Sequence, residues 1–223
     1  MPIHASAVER DSKGLMFAGT GGVGKSSTIL ELSKYSEYKF VADDICVIDE
    51  NGRLYGNMAW PKIYGYNITS PEIKNMALKN RGWLDKMIFE LWSKRNPARI
   101  RRKVKPDQLF DSVSIDEVQL FELNYIFREK ILIMQAQGLN VSDFVKMTKH
   151  VMLAEYSNFH NHLRWCEYNS IARGVKPLIS MKVVEQRWES ILSKVAERIS
   201  LRKISVPIDM SAKDFSNSIT EYL

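Results

Sequence analysis

The hydrophobic positions of this chain follow two regimes. Up to about residue 70 they form short apolar runs broken by turn residues, and beyond it they recur mostly at helical spacing. Leu15-Met16-Phe17-Ala18 is a continuous apolar run, as expected of a strand buried on both faces, and Ser27-Thr28-Ile29-Leu30-Glu31-Leu32-Ser33-Lys34 reads as the first turns of a helix. Pro2 to Arg10 reads as a strand, and Asp11-Ser12-Lys13-Gly14 supplies the turn of a hairpin. Phe40 to Ile48 is a β-rich run interrupted by two carboxylates, Asp43 and Asp44. Pro71 to about Lys94 reads as helix with a break near Gly82. Ser142-Asp143-Phe144 opens a long helical region with Ser142 as its N-cap and Gly174 as its stop. Val183, Val184, Trp188, Ile191, Leu192, Val195 and Ile199 form one helical apolar face, read as packing. The pattern predicts an α/β fold in a single domain over 1–223. Its core spans about 1–70, mainly sheet, and a helical insertion or cap spans about 71–200.

The loop between the first buried strand and its helix changes this from a fold to a function. Gly19-Thr20-Gly21-Gly22-Val23-Gly24-Lys25-Ser26 fills every fixed position of a phosphate-binding P-loop, and Ser27 continues it into the helix. Glycines let successive N–H groups close around phosphate oxygens, and the helix N-terminus adds partial positive charge. Lys25 is expected on the β- and γ-phosphates of ATP, and the Ser26 hydroxyl on Mg2+.

Two anions buried in a strand are costly unless a cation or donor offsets them, and a metal held beside a triphosphate would do so. Adjacent strand residues point to opposite faces, so Asp43 and Asp44 are expected to divide the work. One would face the metal or Ser26, and the other would reach the cleft as a base for a hydroxyl. His4 is the third candidate, near one end of the predicted hairpin. A lone histidine there is more often structural.

The order His4-Ala5-Ser6-Ala7-Val8, Lys13-Gly14-Leu15-Met16-Phe17, the glycine loop and Val41-Ala42-Asp43-Asp44 resembles the catalytic domain of HPr kinase/phosphorylase. The match spans residues 3–57, about a quarter of the chain. The resemblance implies a P-loop core of that type, without the N-terminal regulatory domain of bacterial HPr kinases. It implies an ATP-dependent kinase, with Lys25 on the phosphates and Ser26 on Mg2+. Asp44 would be the base, with His4 and Asp43 as its partners. That family's metal-binding glutamate has its nearest analogue in Glu72 of Pro71-Glu72-Ile73-Lys74-Asn75; the competing reading is a surface glutamate in a helix's first turn. Val118 to Leu123 and Lys203 to Ile208 are similar to the family's later strand and C-terminal segment, which places strands near 115–125 and 200–208. The acceptor is expected to be a serine side chain of a protein or peptide, or a small hydroxylated metabolite. The alternatives are a nucleotide-binding regulatory module and a nucleic-acid-linked P-loop ATPase or polynucleotide kinase.

Composition narrows the partners. Hydrophobic content of 45% suits a globular core, no run reaches the length of a membrane span, and Met1-Pro2-Ile3-His4 does not open like a signal peptide. Two cysteines, Cys46 and Cys166, do not make a disulfide framework, and a cytoplasmic location is expected. The net charge of +6 is concentrated in Lys94 to Lys105, which reads as a solvated loop or as a contact for an anionic acceptor. Nucleic acid is not favoured, because aromatic residues do not interleave that run. Homo-oligomerisation is left open. His160, His162 and Cys166 do not share one helical face, so zinc is not expected there.

Overall fold

The computed structural model describes residues 1–56, 59–114 and 116–223. Along the chain lie β1 (Pro2–Ile3), β2 (Ala5–Arg10), β3 (Lys13–Ala18), α1 (Lys25–Leu32), β4 (Lys39–Ala42), β5 (Cys46–Ile48), β6 (Arg53–Tyr55) and β7 (Lys62–Tyr64). There follow α2 (Pro71–Leu78), α3 (Trp83–Arg95), β8 (Arg101–Lys103), α4 (Pro106–Leu109), β9 (Val118–Glu129), β10 (Gln135–Gly138) and α5 (Val141–Glu155). The last elements are α6 (Ser157–Ala172), α7 (Met181–Ala196), β11 (Ser200–Pro207) and α8 (Ala212–Ile219). Nine of the described strands form one mixed sheet, and β7 pairs with β8 in a separate ribbon. The fold is α/β.

The β2–β3 hairpin turns on Asp11 and Ser12, both at positive φ, with Arg10 opposite Lys13. That is the two-residue connection whose twist matches paired strands. β9 is the spine of the sheet: it runs parallel to β3 and β11 and antiparallel to β6. From Leu15 to Ala18 β3 is apolar at every position because helices cover both faces. Leu15 and Phe17 pack with Ile29 of α1 and Phe215 of α8, whereas Met16 and Ala18 pack with Phe144 of α5 and Leu192 of α7. This sandwich delivers the loop after β3 to the C-terminal end of that interior strand, against α8.

Several expectations change. A strand falls near 115–125 as expected, β9, which joins the sheet's halves, but residues 71–200 are otherwise not helical throughout, for they also contain β8 and β10. The helical region over 142–174 divides at Tyr156 into α5 and α6, and its N-cap is Asn140, whose side chain accepts from the Asp143 N–H, rather than Ser142. The run from Phe40 to Ile48 is not one strand. β4 ends at Ala42 and β5 starts at Cys46, with Asp44 between them at φ 72°. On the α7 face Trp188, Ile191, Leu192 and Val195 are buried, but Val183 is exposed.

Candidate functional site

The glycine-rich loop is fixed from below by two close approaches. Gly19 sits at φ 142°, where a Cβ would come within 2.6 Å of the Ile126 carbonyl oxygen of β9. Gly24, at φ 123°, caps α1, and a Cβ there would meet the Phe215 ring at 2.7 Å. A side chain at either position would push the loop off the sheet. The loop mouth forms a cleft of about 200 Å3 whose walls include Gly21, Gly22, Lys25, Ser26, Asp43 and Asp44. Thr20 is exposed and Val23 is buried in the core.

Lys25 is buried, and its ammonium donates to the Gly19 and Thr20 carbonyls at 2.9 and 2.7 Å. Burial lowers its pKa to about 8 against the opposing pull of Asp43, Glu155 and Asp44. Ser27, one turn in, accepts from the Asn67 side chain at 2.8 Å, and Asn67 accepts from the Tyr64 N–H. The β7 end is thereby tied to α1.

The two carboxylates divide, by a route different from strand alternation. Asp43 is buried, and its Oδ1 accepts from Ser6 at 2.6 Å and from Ser26 at 3.0 Å. Burial raises its pKa while those two hydroxyls pull it down. Asp44 then enters the left-handed region, which turns its side chain away into the cleft. Its carbonyl accepts from two donors, Nδ1 of His4 at 3.1 Å and the Tyr156 hydroxyl at 3.0 Å. Its half-exposed carboxylate accepts from Lys62 at 2.9 Å. Burial alone would raise the Asp44 pKa, but the Lys62 ammonium, with His4 and Lys25 farther off, holds it below the usual carboxylate range.

His4 therefore reaches Asp44 through the backbone carbonyl, with its Nδ1 3.6 Å from the carboxylate. Burial, then the Lys25 charge, lowers its pKa. In the neutral ring Nδ1 carries the proton it donates, which leaves a basic, buried Nε2 without a hydrogen-bond partner.

Glu72 stands apart. It is exposed in the first turn of α2 and outside the cleft, where the Ser70 side chain and its own backbone N–H hold its carboxyl below the usual value. The acidic group that does come to the loop is Glu155, whose Oε1 accepts from the Gly21 N–H at 3.2 Å. Lys62, Asn67, Glu155 and Tyr156 carry no motif, and only the fold brings them here. The basic run is also divided: Arg102 is bound by both oxygens of Asp85 and lies over Phe89, so it is not available to a ligand.

Ser26 and Asp43 offer two hard oxygen donors side by side, which suits Mg2+ shared with phosphate oxygens. Among the described residues no group of three or more His, Cys, Asp or Glu side chains gathers as a metal cage, and no helix is long and apolar enough to cross a membrane. No protein-family model and no curated protein matches the chain. The solved HPr(Ser) kinase/phosphatase of Coxiella burnetii aligns over 100% of this chain and 95% of its own, at 12% identity and a TM-score of 0.34, a weak structural relationship.

Proposed function

We propose that the chain is a P-loop phosphotransferase of HPr-kinase type, one domain over 1–223, that moves the γ-phosphoryl group of ATP to a hydroxyl. The observation that carries the reading is the division of the aspartates: Asp43 holds the loop serine, while its neighbour Asp44 turns into the cleft that Lys25 lines. Residues Gly19 to Ser27 cradle the phosphates, and Lys25 leaves its loop carbonyls to meet the transferring group. Ser26 and Asp43 would hold Mg2+, which when bound would supply charge neutralisation to the phosphates. The acceptor oxygen attacks the γ-phosphorus, and the bond from phosphorus to the bridging oxygen of ADP breaks, ADP keeping the electron pair. The hydroxyl proton passes to the Asp44 carboxylate and then to solvent. The products are a phosphate monoester and ADP. With its pKa held low by Lys62, Asp44 is ionised at neutral pH and acts chiefly by orienting the hydroxyl.

The test separates the two carboxylates. Asp44→Asn should leave nucleotide binding near its native value while transfer of labelled γ-phosphate to hydroxyl compounds of a lysate, identified by mass spectrometry, falls by about 10²–10⁴. Asp43→Asn should also weaken Mg2+-dependent nucleotide binding. Equal, small effects from both variants would remove the base from the reading.

A further inference from the structure

Beside Asp44, away from the glycine loop, a second cleft of about 530 Å3 is lined by Asp43, Asp44, Ala59, Trp60, Lys62 and Lys103. Its wall is the β7–β8 ribbon, in which Lys62 lies directly opposite Lys103. Like charges facing each other across a strand pair repel, and nothing in the packing of the ribbon requires them, since its buried face is made by Ile63. Asp44 compensates Lys62 alone. Lys105, two residues past Lys103, places its ammonium 5.6 Å from the centre of the Trp60 ring. Two ammonium groups, Lys62 and Lys103, therefore line this cleft with the half-exposed Asp44 carboxylate, and Lys105 lies over Trp60 in the adjoining cleft that Trp60 and Lys103 also line. Such a cluster is relieved by an anion brought in from solution.

We infer that this cleft is the acceptor subsite, and that it takes a small alcohol carrying its own anionic group, a carboxylate or a phosphate. The hydroxyl would lie at Asp44 and the anion between Lys62 and Lys103. The inference rests on the phosphotransferase reading and adds the class of its acceptor. A single-stranded nucleic acid is disfavoured by the state of the aromatic faces. Lys105 lies over Trp60, while Tyr64 is stacked on Tyr66 at 5.2 Å and approached by Arg101. Base stacking needs such faces open. The anion also accounts for the carboxylate–lysine pair at the base: an anion between Lys62 and Lys103 would draw Lys62 from Asp44 and free that carboxylate for the hydroxyl.

The experiment is a binding titration on the full chain saturated with Mg2+ and a non-hydrolysable ATP analogue, which fills the phosphate loop first. Tryptophan fluorescence is followed on adding D-glycerate, sn-glycerol 3-phosphate or uncharged glycerol, in the native chain, in Lys103→Gln and in Trp60→Phe. At least one charged alcohol should give a saturable change that glycerol does not. That change should weaken about tenfold in Lys103→Gln, the loss of one charge-assisted contact, and its signal should vanish in Trp60→Phe. Whichever of the two charged alcohols binds assigns the site to carboxylate or phosphate. Nucleotide affinity should be the same in all three chains. No saturable change with either charged alcohol, or an equal one with glycerol, would overturn the subsite while leaving the phosphotransferase reading intact. Failure of the ATP analogue itself to bind would overturn that reading and, with it, the subsite. Tight binding of a 5′-hydroxyl oligothymidylate that depends on Lys103 and falls steeply with salt would replace the small alcohol by single-stranded nucleic acid.

Discussion

Lys25 gives the sharpest quantitative expectation, because its charge is both buried and needed. With a pKa of about 8, about nine-tenths of the free chains carry the ammonium at pH 7 and about one-tenth at pH 9. A phosphate anion beside it favours the charged form and restores its pKa toward the ordinary value. The bound state then holds a proton that the free state loses as pH rises through 8. Mg2+–ATP affinity should accordingly fall about tenfold between pH 7 and pH 9, about 1.4 kcal/mol. Calorimetry at pH 8.5 in buffers of different ionisation enthalpy should detect uptake of about three-quarters of a proton per nucleotide bound. ATP has completed its own titration below this range, so the proton belongs to the protein. Lys25→Arg, always charged, should bind without the uptake. A flat affinity between pH 7 and 9 together with no proton uptake in the native chain would show that Lys25 is not the group meeting the phosphates.

Further expectations follow from the neighbours of the loop and of Asp44. Tyr156→Phe removes one of two donors to a carbonyl in a left-handed conformation, so denaturant melts should show a loss of about 1 kcal/mol. Turnover should drop with nucleotide affinity unchanged; a drop in affinity of equal size would mean that Tyr156 supports the whole fold rather than Asp44. Glu155→Gln takes an anion away from the Gly21 N–H and should tighten ATP binding by roughly fivefold, about 1 kcal/mol of like-charge repulsion near the surface, read by fluorescent-nucleotide titration. Weaker binding instead would make Glu155 a support of the loop. Glu72→Gln should leave the Mg2+ concentration dependence of turnover unaltered, since the side chain lies outside the cleft; a shifted dependence would restore it as a ligand.

What the sequence made legible was whatever depends on neighbours along the chain. Leu15 to Ala18 is apolar at every position because both faces of β3 are covered, and the glycines at 19 and 24 are required by backbone and ring contacts of the turn that follows. The same logic misplaced the reason for the aspartate pair. Alternation along a strand predicts opposite faces, but the strand stops at Ala42, and the separation comes from φ 72° at Asp44. Nothing local marks that turn, for the residue is not glycine and stands in an apolar run. Its support comes from His4, 40 residues earlier, and from Tyr156, 112 residues later, both donating to one carbonyl. A strained backbone held by two distant donors is what a rigid, cleft-facing carboxylate requires, since the cost of the left-handed conformation must be met by contacts the local chain lacks. Glu155 and Tyr156 are adjacent at the end of α5, one touching the phosphate loop and the other the Asp44 carbonyl. A shift at that helix end on filling the loop would therefore be felt at the aspartate, so the α5–α6 junction, read from sequence as uninterrupted helix, is where the two halves of the proposed site are joined.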